Sequence, residues 1–175
     1  TEKKKQQERI EHLALYDALT NLPNRNLLID HLRNSLYQAD RNKTTAAVLY
    51  MDLNGFKPIN DEYGHDYGDE VLKIVAGRLQ EASRRSDITA RIGGDEFVIV
   101  AKEINDNNTV KILAERVIAA VERPISFNGI SVQIGLSIGI SLYPYNGSTI
   151  EELLRKADLA MYSAKTSPSR QFSFA

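Results

Sequence analysis

In Arg91-Ile92-Gly93-Gly94-Asp95-Glu96-Phe97 two adjacent glycines sit between two apolar runs, Asp87 to Ile92 and Phe97 to Ala101. Paired glycines between apolar runs predict a tight β-hairpin, because glycine alone takes a positive φ without strain. Two carboxylates follow at once, so the turn is expected to present acid at an exposed tip. A solvated hairpin would look the same in isolation, and the neighbouring segments decide between a bare turn and a site.

Upstream, Thr44 to Leu53 carries the continuous apolar run Ala46-Ala47-Val48-Leu49-Tyr50-Met51 and ends on Asp52. Such a run predicts a buried central strand. Ligands gather just past strand ends in sheets covered by helices, which places Asp52 well for chemistry. Antiparallel packing of this strand on the hairpin would bring Asp52 and Asp95 together. Paired open carboxylates suit Mg²⁺, which keeps waters and completes its shell with substrate phosphates. Two such ions activate an attacking hydroxyl and stabilise a leaving pyrophosphate. Asn54-Gly55 is a turn signal, and a short helix is expected from Phe56. Gly55, Lys57 and that helix start offer backbone N–H groups and a cation to phosphates. Asp69 can accept from two donors on one base edge, which guanine presents and adenine does not, with Asn60 completing the contact. Taken singly, Asn60 capping a turn and Asp69 capping a helix explain these residues as well. No Gly-x-x-x-x-Gly-Lys-Ser/Thr occurs, which excludes a P-loop NTPase.

The remaining pattern fills in the scaffold. Asn24 caps a helix whose apolar face is Leu28, Leu32, Leu36 and Ala39. Asp66 to Ser83 is an amphipathic helix with Leu72, Val75, Ala76 and Leu79. Val110, Leu113, Ala114, Val117, Ile118 and Val121 mark another, stopped by Pro124. Val132 to Leu142 alternates apolar residues with glycine, serine and glutamine, which predicts one long strand whose second face is small enough for close packing. Ile150 to Ala164 gives a last helix started by Ser148 or Thr149, and Gln171 to Ala175 is read as a short edge strand. Residues 1–16 read as a connecting helix, either a coiled-coil lead or a solvated terminus, with residues 17–175 as the domain proper. The order α-α-β-α-β-β-α-β-α predicts an α+β fold with helices covering a mostly antiparallel central sheet.

Composition narrows the class. The 175 residues suit one domain, and 42% apolar with 26% charged residues is ordinary for a globular protein. A net charge of −1 gives no general pull towards nucleic acid or an anionic membrane. The lack of cysteine excludes disulfides and thiolate metal sites and suits a cytoplasmic location. No apolar run is long enough to span a bilayer, so no membrane contact is expected of this fragment, and any membrane attachment of the full protein is expected from another segment. The chain starts at Thr1 and is expected to be a piece of a longer protein.

Gly93-Gly94-Asp95-Glu96-Phe97 resembles the signature of the GGDEF domain, the diguanylate cyclases. The resemblance extends well beyond five letters. Asp17-x-Leu19-Thr20-x-Leu22-Pro23-Asn24-Arg25 is similar to the opening of that domain. Asp52-Leu53-Asn54-Gly55-Phe56-Lys57-x-Ile59-Asn60-Asp61 is similar to its metal and phosphate stretch, and Gly64-His65-x-x-Gly68-Asp69 to its base-binding stretch. Ser137 to Ile140 and Ala157 to Lys165 resemble its last strand and helix. The likeness runs in one order over roughly residues 17 to 174, which is highly specific.

The resemblance implies the fold shared with adenylyl cyclase and polymerase palm domains. It implies condensation of two GTP into cyclic di-GMP with release of two pyrophosphates, by a homodimer whose protomers each hold one GTP. It assigns Mg²⁺ (or Mn²⁺) to Asp52, the Leu53 carbonyl and Asp95, with Glu96 a candidate for the metal or for the attacking 3′-hydroxyl. Asn60 and Asp69 would bind guanine, Lys57 and Lys165 would hold phosphates, and Gly55 and Phe56 would line the nucleotide. Arg84-x-x-Asp87, separated from Gly93 by five residues, looks like the family's inhibitory site for product. A helix-end ion pair is the plainer alternative there. Two departures stand out: Asn54 replaces a second acid, and Pro168-Ser169-Arg170 stands where the family carries Gly-Arg-Asn, so the phosphate-binding arginine is lost or shifted. The Leu-Thr-x-Leu-Pro-Asn-Arg opening is common in members fused to an EAL phosphodiesterase domain, so an upstream sensor and a downstream EAL domain are expected partners. A GTP-binding regulatory module without catalysis is the competing expectation.

Overall fold

The apolar run Ala46 to Met51 becomes the centre of the sheet. The computed structural model describes residues 1–175. In chain order the elements are α1 (Glu2–Leu15), α2 (Arg25–Asn42), β1 (Thr45–Asn54), α3 (Phe56–Tyr63), α4 (His65–Ala82), β2 (Ile88–Gly93), β3 (Glu96–Ile104), α5 (Asn107–Glu122), β4 (Ile125–Phe127), β5 (Ile130–Val132), β6 (Gly135–Tyr143), α6 (Ile150–Lys165) and β7 (Phe172–Phe174). Five strands form one sheet in the order β2-β3-β1-β6-β7. All its pairs are antiparallel except β6 with β7. The fold is therefore the α+β arrangement that the sequence predicts, with a mostly antiparallel sheet.

β1 is buried on both faces, which is why its sequence is apolar without alternation. Ala47, Leu49, Met51 and Leu53 pack into a layer with α4 and α5. Ala46, Val48 and Tyr50 pack into the opposite layer with α2 and α6. Each fully buried leucine or isoleucine in these layers contributes roughly 1.5–3 kcal/mol. Asn24 caps α2 as expected, its side chain accepting from the Leu27 amide at 3.2 Å. Thr149 caps α6. The small face of β6 does admit a close neighbour: a Cβ placed on Gly139 would lie 1.9 Å from the Ala157 carbonyl oxygen of α6.

Three local expectations change. The single strand from Val132 to Leu142 is broken at Gln133–Ile134, and Val132 pairs with Ile125 in a separate β4–β5 hairpin. The cause is Asn128-Gly129, whose φ values of 51° and 75° make a two-residue turn of the kind that hairpins favour. The tip of the β2–β3 hairpin is not free. Gly93 pairs with Glu96, so the loop residues are Gly94 and Asp95, and both carboxylates that follow are half-buried. Asp69 lies inside α4, whose cap is Gly64, so it caps nothing. α1 buries no residue, and Ile10 and Leu13 lie exposed on it. No helix is long and apolar enough to cross a membrane.

Candidate functional site

Strand register assembles the acidic cluster. Asp52, near the C-terminal end of β1, is the cross-strand partner of Glu96, the first residue of β3. One step beyond, the Leu53 amide donates to the Asp95 carbonyl at 3.2 Å, which ties the hairpin loop to the end of β1. The loop is held from its other side by Arg91, whose guanidinium donates to the Gly94 carbonyl at 3.0 and 2.8 Å. Asp95 is thereby drawn against Asp52. Burial, the Asp52 charge and contact with its carboxylate push the Asp95 carboxyl up to about 6.

Lys165, at the end of α6, meets Asp52 Oδ2 at 2.5 Å. The other oxygen, Asp52 Oδ1, is buried and has no hydrogen-bond partner. An orphaned carboxylate oxygen beside a like-charged neighbour is an arrangement that a divalent cation relieves, and the hard oxygen donors fit Mg²⁺ or Mn²⁺. No group of three or more His, Cys, Asp or Glu side chains gathers in the chain to hold a metal unaided. The donor set of Asp52, Asp95 and the Leu53 main chain thus fits a cation that takes the rest of its shell from a nucleotide. Asn54, in place of a second acid, donates from its amide to Ser137 Oγ at 2.9 Å and adds no charge.

The helices after β1 shape a second pole. Gly55 sits at φ 83° and turns the chain into α3, leaving Phe56 buried and Lys57 exposed. Asn60 on α3 lies over Gly68 of α4, where an added Cβ would stand 1.6 Å from Asn60 Oδ1. Glycine inside a helix costs about 1 kcal/mol relative to alanine, and here it makes room for that carboxamide. Asn60 Oδ1 is buried without a partner. Its side chain therefore caps no turn, and a polar ligand would satisfy it. Asp69, next to Gly68, is exposed.

Arg84 and Asp87 do form a pair, apart from this cluster. Arg84 donates to Asp87 at 3.0 Å and to the Lys102 carbonyl at 2.6 Å. The Asp87 side chain has no exposure, against 34% for Arg84, so only the arginine offers a surface to a ligand. Ser169 and Arg170 both line a surface hollow with Glu115 and Glu122 of α5, and Pro168–Ser169 form a turn rather than an extended segment.

Two participants escaped the sequence reading. The Tyr50 hydroxyl donates to Glu96 Oε2 at 3.0 Å. Arg91 pairs with Asp17 at 3.0 Å while gripping Gly94, which couples the segment after α1 to the hairpin loop. Asp17 also accepts from the Thr20 amide and hydroxyl. Although burial opposes it, these donors and Arg91 hold the Asp17 carboxyl below its usual value. A tyrosine within an apolar run and an arginine before a glycine pair carry no signal of partners 46 and 74 positions away.

Comparison with known proteins bears on this geometry. The family model described as diguanylate cyclase, GGDEF domain, matches residues 14–171. The chain is 46% identical over 164 residues to the bifunctional diguanylate cyclase/cyclic di-GMP phosphodiesterase MucR of Pseudomonas aeruginosa, covering 93% of this chain and 24% of the relative. It is 37% identical over 172 residues to the cyclic di-GMP phosphodiesterase PdeR of Escherichia coli, covering 98% of this chain and 26% of that one. The chain thus spans about a quarter of these curated relatives. Among solved structures, a form of TpbB from Pseudomonas aeruginosa comprising only the GGDEF domain superposes with a TM-score of 0.87 at 39% identity, covering 91% of this chain and 94% of that one.

Proposed function

The chain belongs to the GGDEF domain family of diguanylate cyclases, and accordingly we propose that it condenses two GTP into cyclic di-GMP. Each protomer of a homodimer holds one GTP, and the two sites face each other. The carrying observation is the apposition of Asp52 and Asp95 with Glu96 in register, two strands from two separate parts of the chain converging on one acidic corner. Asp52, Asp95 and the Leu53 carbonyl hold Mg²⁺ or Mn²⁺. Bound there, the cation supplies positive charge to the phosphates and acidity to the attacking hydroxyl. Asn60 and Asp69 bind guanine, Phe56 and Gly55 line the nucleotide, and Lys57 binds phosphate. Lys165, which Asp52 holds, turns to the triphosphate when the nucleotide arrives. In each of two steps a 3′-hydroxyl oxygen bonds to the α-phosphorus of the other GTP, pyrophosphate leaves, and Glu96 receives the hydroxyl proton.

The test is nucleotide-specific turnover. Wild-type protein with Mg²⁺ should form the cyclic product from GTP and none from ATP. Asp52→Asn should abolish turnover and keep the wild-type circular dichroism, because it removes a charge that holds the cation. Wild-type rates in Asp52→Asn would refute the metal assignment. Arg84 takes product on its exposed face, with Asp87 as the anchor beneath. Product should then slow the wild type, and Arg84→Ala should relieve the inhibition. Equal inhibition in both would make the pair purely structural.

One observation favours a second reading. Ser169 and Arg170 line a hollow beside α5, whereas Lys165 lies against Asp52, so the triphosphate would meet fewer cations than the family pattern supplies. A lost charge-assisted contact costs roughly 1.5–3 kcal/mol, about ten- to a hundredfold in affinity. A domain weakened in this way would act as a GTP-binding regulator of an attached EAL phosphodiesterase or other domain. α1 would serve as its connection to an upstream sensor.

A further inference from the structure

We propose that Tyr50 is a positioning residue for the reaction, fixing the Glu96 carboxylate where it meets the attacking 3′-hydroxyl. The inference rests on the proposed synthesis and on the role given there to Glu96. Tyr50 is only 7% exposed and lies in the layer between the sheet and helices α2 and α6. A phenylalanine would pack there equally well. A buried hydroxyl needs a partner, and this one has Glu96 Oε2 at 3.0 Å.

The strand geometry explains the reach. Tyr50 is the cross-strand partner of Val98, and Asp52 of Glu96, so Tyr50 and Glu96 are diagonal neighbours on one face of the sheet. Such neighbours stand about 7–8 Å apart, a gap that an aromatic side chain bridges and a short one does not. On its other side Tyr50 pairs with Gly139 of β6. That glycine lets the α6 backbone approach closely, and Ala157 and Met161 of α6 share the layer with Tyr50. The ring is therefore held by strand and helix, and its hydroxyl is a fixed donor rather than a swinging one. It engages Oε2 and leaves Glu96 Oε1 without a protein donor, available to the substrate. Arg25 of α2 and Asp158 of α6 are the other charges that act on the phenol, and neither bonds to it.

Tyr50→Phe keeps the ring and removes only the donor. The expected result is a kcat lower by about tenfold or more with an unchanged KM for GTP, the scale seen when a group that orients a reacting residue is removed. The second arm repeats the substitution in Glu96→Ala, where it should cause no additional loss, because Tyr50 acts only through that carboxylate. An undiminished kcat in Tyr50→Phe overturns the assignment, as does an equal loss in both backgrounds or a raised KM with kcat unchanged. Wild-type protein that binds GTP and forms no cyclic product overturns the synthesis reading and this assignment with it. Wild-type product with any of the preceding results sinks the Tyr50 assignment alone.

Discussion

Asp95 shows what the site costs the fold. Its carboxyl is held at about 6, above its ordinary 3.8, chiefly by burial and then by the Asp52 charge. Between those values the folded chain keeps a proton that the unfolded chain has released. Stability therefore falls as pH rises through this window and stays reduced above it. Asp95→Asn should melt at a higher temperature than wild type at pH 7.5 in the absence of divalent cations. The gain should be roughly 1 kcal/mol once solvent screening is discounted. The difference should close near pH 4, where both forms are neutral. Thermal melts across pH decide it, and a variant less stable than wild type at pH 7.5 would show that the carboxylate is favourably held. The residues at stake were visible in the sequence because acids after a glycine pair and at a strand end are unusual. Their mutual strain was not, because it depends on burial and on how closely the strands bring the two groups.

At the level of elements, β6 and α6 pack closely, strand against helix backbone. The alternation of Ile138, Ile140 and Leu142 with Gly139 and Ser141 marked a strand with one small face, and that face is where α6 lies. Gly139→Ala should destabilise by about 3 kcal/mol, the upper end for forcing an extra methyl into a close-packed core, since the helix backbone has to move. Chemical denaturation measures it, and a loss under 0.5 kcal/mol would show that α6 yields freely. Helix faces, β1 and the hairpin were legible because burial imposes period and composition on them. The split between β5 and β6 was not, because alternation continues across Gln133 and Ile134 while pairing does not. The signal lay in Asn128-Gly129, a two-residue hairpin turn that the longer alternating pattern obscured. Tyr50 and Arg91 went unread for a related reason: their partners are set by register and loop closure, which local pattern does not encode.

On the scale of the whole molecule, the acidic corner, Asn60 and Lys165 come from β1, the hairpin loop, α3 and the end of α6. One sheet with two helical layers brings Asp52, Asp95 and Lys165 together, and Arg91 ties the segment after α1 to the same loop. Each protomer carries one set of these groups, so under the proposed synthesis a product built from two GTP would require two protomers. That stoichiometry is the central claim in its most testable form. Purified protein should be incubated with Mg²⁺ and GTP over a wide range of protein concentrations, with cyclic di-GMP and pyrophosphate quantified together. The expected result is two pyrophosphates per cyclic di-GMP and a rate per protomer that climbs with protein concentration to a plateau. Saturable GTP binding with no cyclic di-GMP at any concentration would contradict it and leave the regulatory module as the function of the chain.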